Sequence, residues 1–530
     1  MMSSLFGHPW VLVVLMTIVS LIIRLWRIDF QSFWLDEAHT AFYLNGQTPR
    51  VIWERLTRPG ENGPVYYLLL AGWRFAFGGN EVSLRGFSVL SVTLAIPLAW
   101  LAMRRMMPIR EALVTTALVA FSPYITWYAQ EAKMYALAMF AGLLVLRLLF
   151  EAVHRGGAWR WAGYGMAALC SIYIHFFALL SVGSHAVAVV VLLWPNRRRL
   201  IAAWATMALV LVPVLVWQAV AISRDVAGSG ANMSSGEMSL PTRVGVLAYA
   251  YLMNVTPAPL PIVVFSSIVT AIFGTVACLA PAAGSLRQLG ITVIWGYGFP
   301  APVRGPLALA ILAWSPFFAH AIAMGALGAG LFADRYFMAT VPMLCGIAAI
   351  AFGLVVDRTK AGAVVLAVGL VLVGAWATSY QVSVPIKDDF RRVMALYRGG
   401  KGDRDAVVPI PQYLSYPVGY HSGPGLDVVI VDMERQPVDY ASKFSGRTGV
   451  WVVTNVPDRF ISLRGLREWL VAHASLASED TVTGGVNVQH WVFDGGCVTV
   501  VLADGTLGAP SFERPCLEEV RSTPQLLVVR

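Results

Sequence analysis

Long apolar runs separated by short basic connections dominate the first 380 residues of the chain. A hydrocarbon core of about 30 Å is crossed by roughly 20 apolar residues in a helix. The pattern predicts eleven transmembrane helices, near residues 9–28, 82–102, 110–127, 134–153, 161–176, 178–195, 201–221, 261–282, 305–325, 337–356 and 361–380. The apolar stretch 64–78 is short and contains Arg74, which favours a helix lying in the membrane interface. The stretch 244–258 is ambiguous for the same reason.

After Tyr380 the pattern changes to short β-rich runs. It predicts strands at Ala406–Ile410, Asp427–Val431, Val450–Thr454 and Val488–Phe493, and helices that begin near Lys387–Arg392 and near Leu463–Ala474. Strands that alternate with helices favour a small α/β domain. The chain is therefore expected to have a transmembrane domain at 1–380, with a first outer loop at 29–81, and an external α/β domain at 381–530.

Basic residues in alternate connections set the expected orientation, because cytoplasmic loops carry an excess of Lys and Arg. The residues concerned are Arg104, Arg105, Arg110, Arg155, Arg160, Arg197, Arg198, Arg199, Arg287, Arg304, Arg358 and Lys360. This places the amino terminus in the cytoplasm and the C-terminal domain on the external, periplasmic side. The expected location is the inner (plasma) membrane.

Composition agrees with this class of protein. The chain is 57% hydrophobic and 13% charged, with a mean hydropathy of +0.65, whereas soluble domains carry about 25% charged residues. The basic loops explain the net charge of +9. The sequence has no stripe of basic residues interleaved with aromatic residues, which would be the sign of a nucleic-acid-binding protein. Cys497 and Cys516 fall in the external domain, where a disulfide between them and two unpaired thiols both stay open.

The first polar feature of interest lies directly after the first apolar run, in Phe33–His39. Asp36 and Glu37 are adjacent carboxylates at the lip of a bilayer, where charge is costly unless it has a function. A catalytic base there could meet both a lipid-borne donor and a water-borne acceptor. The simpler alternative is a carboxylate pair that caps an interfacial helix.

Three later connections on the same predicted side carry further polar residues. They are the turn Asn62–Tyr67, the corner Tyr128–Lys133 and the segment Asp334–Tyr336. Aromatic anchoring, a snorkelling lysine and a plain Asp–Arg pair are the ordinary explanations. Taken together, carboxylates with a Lys and an Arg suit displacement at a carbon that bears a phosphate leaving group. An acid would deprotonate the attacking hydroxyl, and the cations would neutralise the departing phosphate.

These motifs, in this order, resemble the GT-C glycosyltransferases of the protein O-mannosyltransferase and aminoarabinose-transferase type. The resemblance spans residues 5–380 and is carried by Trp34–Ala38, Gly63–Tyr67, Trp127–Tyr135, His175–Phe177 and Arg335–Tyr336 with Pro342. It implies a polyprenyl-phosphate-linked monosaccharide as donor, used at the outer face of the membrane.

The resemblance also implies roles for individual residues. Asp36 would be the catalytic base with Glu37 beside it, and Glu131 a second acid near the acceptor or a metal. Lys133 and Arg335, with Tyr336, would hold the lipid phosphate. The surrounding donor and acceptor pocket would contain His39, Asn62, Tyr66, Tyr67, Tyr128, Gln130 and His175.

The chain departs from the family pattern at two points. Asn62-Gly63-Pro64 stands where His-Pro-Pro is common, and Lys133 stands where Arg is common. A lysine offers a point charge instead of a planar fork and still binds phosphate. For His175, a packed, hydrogen-bonded ring is the alternative to a ligand-binding role.

The functional prediction is an inverting hexosyl- or pentosyltransferase acting on a hydroxyl of an envelope glycan, lipid or protein. No cofactor is predicted, and the need for a divalent metal, which Asp36, Glu37 and Glu131 could hold through oxygen ligands, stays open. The rival interpretation is a transporter or flippase of a lipid-linked sugar, although such proteins tend to show repeated halves and polar groups near the midplane. A non-catalytic receptor is a second rival. The sequence does not identify the sugar or the acceptor.

Overall fold

The computed structural model describes residues 8–57, 63–194, 196–226, 239–257, 301–326, 332–423, 426–431, 438–456, 461–493, 498–501, 517–522 and 525–529. The chain forms two compact units. The helical unit comprises residues 1–28 and 46–383, and the C-terminal unit comprises residues 29–45 and 384–530. Residues 29–45 therefore belong with the end of the chain, whereas the sequence analysis placed all of 29–81 with the transmembrane domain. The physical reason is the set of polar contacts to residues 384–421 described below.

The helical unit consists of helices of very different length. The described helices are Pro9–Leu25, Pro49–Leu56, Pro64–Phe77, Glu81–Met103, Ile109–Phe121, Pro123–Ala129, Tyr135–Arg155, Ala158–Ile174, Ala178–Leu193, Arg197–Val226, Leu240–Met253, Ala301–Ala326, Val341–Arg358 and Lys360–Ser383, with a 3-10 helix at Asp334–Thr340. Most predicted spans coincide with one of these helices. The predicted span 261–282 lies outside the described residues.

Six of the described helices are long and apolar enough to cross a membrane, and a bent pair raises the number to seven. Pro9–Leu25 and Ala178–Leu193 are apolar but shorter. The count of eleven crossings stays a prediction. The helix at Pro64–Phe77 matches the stretch expected in the interface, and Leu240–Met253 covers most of the ambiguous stretch 244–258.

The predicted span 110–127 is not one straight helix. Ile109–Phe121 and Pro123–Ala129 meet at an angle of 49°, because Pro123 has no N–H to continue the helical hydrogen bonds. Ser122 caps the second helix by accepting from the backbone N of Ile125 at 3.3 Å. The bend leads directly into the polar corner at residues 128–133.

Buried polar side chains tie the helical unit together where the first helix ends. The Gln130 side-chain amide donates to the carbonyls of Arg24 and Trp26 at 2.9 and 3.0 Å. Arg85 donates to the carbonyl of Ile28 at 2.9 Å. Carbonyls at and just after the end of a helix lack partners within the helix. The side chains of Gln130 and Arg85 donate hydrogen bonds to these carbonyls.

The C-terminal unit contains a four-stranded sheet formed by β1 Ala406–Ile410, β2 Gly449–Thr454, β3 Ala474–Val482 and β4 Val486–Phe493. The order of the strands in this sheet is β1-β2-β4-β3. Strands β1 and β2 are parallel, and the β2–β4 and β3–β4 pairs are antiparallel. A three-stranded sheet has the order β5-β6-β7, with β5 Val498–Val501, β6 Leu517–Ser522 and β7 Gln525–Val529. The helices of this unit are Leu35–Leu44, Phe390–Gly400, Ser415–Ser422, Tyr440–Phe444 and Ile461–His473, with a 3-10 helix at Gln412–Leu414.

Three of the four predicted strands, which correspond to β1, β2 and β4, are confirmed. The fourth, Asp427–Val431, forms only an isolated bridge. Around residue 428 the chain pairs with β1 only through an isolated parallel bridge between Val407 and Val428. Strand β3 was not predicted, since seven of its nine residues are exposed and show no alternation of apolar and polar positions.

The first two strands form the centre of the core because helices cover both faces of the sheet. Every residue of β1 and β2 is buried, as expected of parallel strands between helical layers. On one face Val452 packs with residues of helix Ile461–His473. On the other face Trp451 packs with residues of helix Phe390–Gly400.

Asp405, directly before β1, joins the strands through its carboxylate. It accepts hydrogen bonds from Gly402 N at 2.7 Å, Thr448 Oγ1 at 2.8 Å, Trp451 Nε1 at 3.1 Å and His490 Nε2 at 3.0 Å. Burial opposes ionisation of this carboxyl, but the bonds from His490, Gly402, Thr448 and Trp451 outweigh it and lower the pKa of Asp405 to about 2. The folded unit therefore favours the ionised form of the Asp405 carboxyl.

We expect Asp405→Asn to destabilise the C-terminal unit by about 3 kcal/mol, because bonds to a buried charge are lost and donors are left without an acceptor. The folded pKa is lower than the unfolded value of 3.8, so the stabilisation is complete above about pH 4 and lost as the pH falls towards 2. Amide hydrogen exchange of β1 and β2 in the full-length protein measures it. Asp403→Asn, at an exposed neighbouring position, is the control, and equal exchange in both variants would contradict the expectation.

Candidate active site

The predicted site residues are found in both units of the chain. Asp36, Glu37 and His39 belong to the C-terminal unit. The helical unit holds Tyr66, Tyr67, Tyr128, Gln130, Glu131, Lys133, His175, Arg335 and Tyr336. Asn62, Cys497 and Cys516 lie outside the described residues. The pocket role of Asn62 and the disulfide between the two cysteines stay predictions.

The two adjacent carboxylates occupy the first turn of helix Leu35–Leu44. Negative charge is favourable there because the backbone N–H groups of a helix start point towards it. The environments of the two residues nevertheless differ. Asp36 is partly exposed, whereas Glu37 is fully buried.

Glu37 is paired with a lysine that the sequence analysis assigned only to the start of a helix. Lys387 Nζ lies 3.0 Å from Glu37 Oε2, and the two side chains are 3% and 0% exposed. A buried carboxylate requires such a partner, since an isolated one would lose its charge. Lys387 Nζ also lies 5.8 Å from the ring centroid of Trp34, a cation–π distance.

His39 packs among aromatic rings of the same unit. Its ring centroid lies 4.5 Å from that of Tyr43 and 4.8 Å from that of Tyr416. Phe42 contacts Tyr416 as well, with the centroids 4.8 Å apart. These contacts hold helix Leu35–Leu44 against helix Ser415–Ser422.

In the helical unit, the two predicted phosphate-binding cations lie around one histidine. Arg335 contacts Tyr135, whose ring lies 5.6 Å from that of His175, and Lys133 precedes Tyr135 by two residues in the chain. Arg335 Nε donates to the hydroxyl of Tyr135 at 3.0 Å, and Lys133 Nζ donates to the hydroxyl of Tyr67 at 3.4 Å. Two cations that are separated by about 200 residues in sequence thus share one site, each oriented by a tyrosine.

Aromatic rings surround these cations. Tyr336 stacks on Phe177 with 4.3 Å between centroids and 8° between planes. The ring of His175 lies 5.6, 5.8 and 6.1 Å from those of Tyr135, Phe177 and Tyr336. His175 is therefore a packed ring of this site. Of its three ring neighbours, Tyr336 is a predicted site residue, and Tyr135 and Phe177 belong to the motifs that carry the resemblance.

Tyr128 links the aromatic residues of this site to Asp334. Its hydroxyl donates to Asp334 Oδ2 at 3.2 Å. Its ring packs on that of Tyr135, the partner of Arg335, with centroids 5.3 Å apart. The sequence motifs point to the segment Asp334–Tyr336 but give no site role to Asp334, which the structure places beside Tyr128.

The turn before helix Pro64–Phe77 brings Tyr67 to Lys133. Gly63 has φ +80, and a Cβ there would lie 2.9 Å from Met134 Cε and 3.1 Å from the carbonyl of Ile174. Only glycine combines this conformation with this close approach. Tyr66, the neighbour of Tyr67, is fully buried and packs on it with centroids 5.2 Å apart.

Gln130 and Glu131 occupy interior positions. The Gln130 amide is engaged with backbone carbonyls at the end of the first helix, as described above, which makes it a structural tie. Glu131 is buried, and its carbonyl accepts from Ser88 Oγ at 2.7 Å. Within the described ranges, no group of three His, Cys, Asp or Glu side chains is placed to hold a metal ion.

Comparison with known proteins establishes the fold. No protein-family model and no curated protein matches the chain. Solved structures do match. ArnT from Cupriavidus metallidurans in the apo state is 14% identical with a TM-score of 0.54, over 90% of this chain and 97% of ArnT. The structure of ArnT bound to undecaprenyl phosphate gives 14%, 0.51 and the same coverage.

A second match is the archaeal oligosaccharyltransferase AglB from Archaeoglobus fulgidus, in complex with an inhibitory peptide and a dolichol-phosphate. It is 13% identical with a TM-score of 0.55, over 92% of this chain and 74% of AglB. At such identities the likeness shows the fold alone. It is the fold of GT-C glycosyltransferases, which confirms the resemblance predicted from the motifs, and with the apolar helices it indicates a membrane-embedded protein.

Asp388, next to Lys387, provides a test of the electrostatics of the C-terminal unit. Burial raises the pKa of Asp388 to about 6 from 3.8. The folded state thus favours the protonated acid, and stability is lost as the pH rises from about 4 through 6. We expect Asp388→Asn to raise the Tm of the full-length protein at pH 7.5 and to leave it unchanged at pH 4. Asp480→Asn, at an exposed position of β3, is the control, and an equal gain at both pH values would contradict this account.

Proposed function

We propose that the protein is a membrane glycosyltransferase that moves one hexose or pentose from a polyprenyl-phosphate donor to an acceptor hydroxyl. The observation that carries the proposal is the pair of cations around His175 in the helical unit. A pair of cations among apolar helices is costly unless it serves a ligand. The fold supports the choice of ligand, since ArnT and AglB with this fold have been solved with undecaprenyl phosphate and dolichol-phosphate.

The cations and their tyrosines would bind the lipid phosphate. Arg335 offers a planar fork that matches phosphate oxygens, and Lys133 adds a compact charge. The tyrosine hydroxyls that accept from these cations restrict their rotamers before the donor arrives. Preorganised charge of this kind stabilises the negative charge that develops on the leaving phosphate. Tyr336 would supply part of the aromatic wall.

Asp36 would act as the base. It is the carboxylate of the pair that solvent reaches, so a water-borne acceptor hydroxyl can approach it. In the proposed step the acceptor oxygen attacks the anomeric carbon and its proton passes to the Asp36 carboxylate. The bond from the anomeric carbon to the phosphate oxygen breaks in line, polyprenyl phosphate leaves, and the configuration inverts. Asp36 then releases the proton to solvent.

The proposal includes the setting of the reaction. The acceptor would be an envelope glycan, lipid or protein, and the C-terminal unit would lie on the periplasmic side of the inner membrane. The amino terminus would be cytoplasmic. The positions of the basic connections support this orientation.

We expect Asp36→Asn to lower kcat by about 10²- to 10⁴-fold, the usual contribution of a general base, while binding of polyprenyl phosphate is kept. The assay incubates purified protein in liposomes with radiolabelled undecaprenyl-phosphate hexoses or pentoses and an envelope extract, and measures transferred and released label. Asp29→Asn, on the same segment and exposed, is the matched control. Unchanged turnover in Asp36→Asn would remove Asp36 as the base, and translocation across vesicles without transfer would indicate a flippase.

Replacing either cation should weaken donor binding. We expect Lys133→Met and Arg335→Met each to raise the Kd for undecaprenyl phosphate by about 10- to 100-fold, the value of a hydrogen bond to a charged group. Lys133→Arg should keep most of the affinity, because a fork replaces a point charge. Binding to purified protein in detergent measures the Kd, with the exposed Arg155→Met as control. Wild-type affinity in both Met variants would place the lipid phosphate elsewhere.

A further inference from the structure

We propose that Glu37 and Lys387 form a positioning pair that fixes the segment carrying Asp36, and that Glu37 does not itself react. This inference rests on the proposed function, because it assigns the chemistry to Asp36. It changes the expected role of Glu37, which the sequence resemblance placed beside the base as a catalytic residue.

The first support is the contrast between two adjacent carboxylates. Asp36 is partly exposed and begins a helix, whereas the side chain of Glu37 is 0% exposed. To accept a proton from a hydroxyl, a base must come within hydrogen-bond reach of it. Glu37 could do so only by leaving Lys387 Nζ, 3.0 Å away. Its burial suits a structural role.

The second support is that residues before Asp36 are tied to the same part of the chain as Lys387. The Gln31 side chain donates to the carbonyl of Val384 at 2.8 Å and accepts from the backbone N of Ile386 and of Lys387 at 2.9 and 3.2 Å. The guanidinium of Arg391 donates to the carbonyls of Asp29, Phe30 and Gln31 at 2.8, 3.5 and 3.1 Å. Phe33 stacks on Tyr420 with centroids 4.9 Å apart.

Residues that make these contacts line a cavity of about 370 Å³. Its wall includes Gln31, Ser32, Lys387 and Arg391. The buried polar groups of this wall bond to the protein itself. Ser32 Oγ, for example, accepts from the backbone N of Arg391 at 3.3 Å. The polar groups of the wall therefore form hydrogen bonds within the protein, as expected if they hold the segment that carries Asp36 in place.

The third support is that the ion pair fills the interval between two anchors. Gln31 and Arg391 hold the chain before Asp36, and His39 and Phe42 pack on Tyr416 after it. Glu37 is the residue directly after Asp36, and its partner is 350 residues away in sequence. Together these contacts hold the stretch on both sides of Asp36, which is partly exposed.

Removing one partner and removing both should have opposite consequences. A single replacement leaves a buried charge without its partner. The energetic cost of that charge destabilises or displaces the segment that carries Asp36. Apolar replacement of both partners removes the charge and keeps the volume filled, and such exchanges are commonly tolerated. A displacement of the base by about 1 Å can cost about 100-fold in rate. The two kinds of variant thus separate positioning from chemistry.

The experiment measures kcat and the donor KM in the transfer assay for Lys387→Met, Glu37→Gln and the double variant Glu37→Leu/Lys387→Met. We expect kcat to fall about 10- to 100-fold in each single variant with donor KM within about twofold of wild type. The double variant should recover to within about fivefold of wild-type kcat. Lys443→Met is the matched control, because Lys443 is a half-buried lysine of the same unit that donates to the carbonyl of Ile430.

Hydrogen exchange in full-length protein provides a second readout that does not need turnover. We expect amides of 34–44 to exchange faster in Lys387→Met and to regain protection in the double variant. Wild-type kcat in a folded Lys387→Met protein would overturn the inference, as would a double variant as inactive as Glu37→Gln, which would make Glu37 a reacting group. Failure of the proposed function looks different, since wild-type protein would then transfer no sugar or Asp36→Asn would keep full turnover.

Discussion

Charged and polar groups withdrawn from water must find partners in the protein, and this constraint organises both units. In the helical unit, Gln130 satisfies carbonyls at the end of the first helix, and Ser88 donates to the carbonyl of Glu131. In the C-terminal unit, Lys387 neutralises Glu37 and four donors satisfy Asp405. A buried group without such a partner would cost folding free energy on the scale of a whole hydrogen bond or more. The polar residues near the proposed chemistry are therefore mostly engaged with the protein.

The same constraint distinguishes the groups proposed to react from those proposed to support them. Among the acids, Asp36 is partly exposed and Glu37 is fully buried. Among the cations, Arg335 and Lys133 are each oriented by a tyrosine hydroxyl. The side chains of Gln31, Gln130 and Lys387 bond to backbone carbonyls or to a buried carboxylate and hold them in place. Preorganisation of this kind is what electrostatic catalysis requires, because the enzyme then does not reorganise when charge develops.

The likeness in fold at 13–14% identity is understandable on these terms. Apolar helix surfaces tolerate many exchanges as long as volume and pattern are kept. Polar ties and tightly packed glycines tolerate exchange less well than apolar helix surfaces. Gly63 is such a position in this chain, since a side chain there would collide with Met134 and the carbonyl of Ile174.

The sequence by itself determined the elements whose signal is local. Apolar runs predicted most described helices, and buried β-branched runs predicted β1, β2 and β4. The order of the motifs also indicated the fold, and the roles of the individual site residues stay predictions. The sequence did not indicate the bend at Pro123, where proline and a capping serine interrupt an apolar run, or the exposed strand β3, which has no apolar period. Only the tertiary structure showed that residues 29–45 belong with the end of the chain and that Lys387 is the partner of Glu37. Those facts depend on pairings across about 350 residues, and a one-dimensional pattern of hydrophobicity carries no information about which distant charge will meet which.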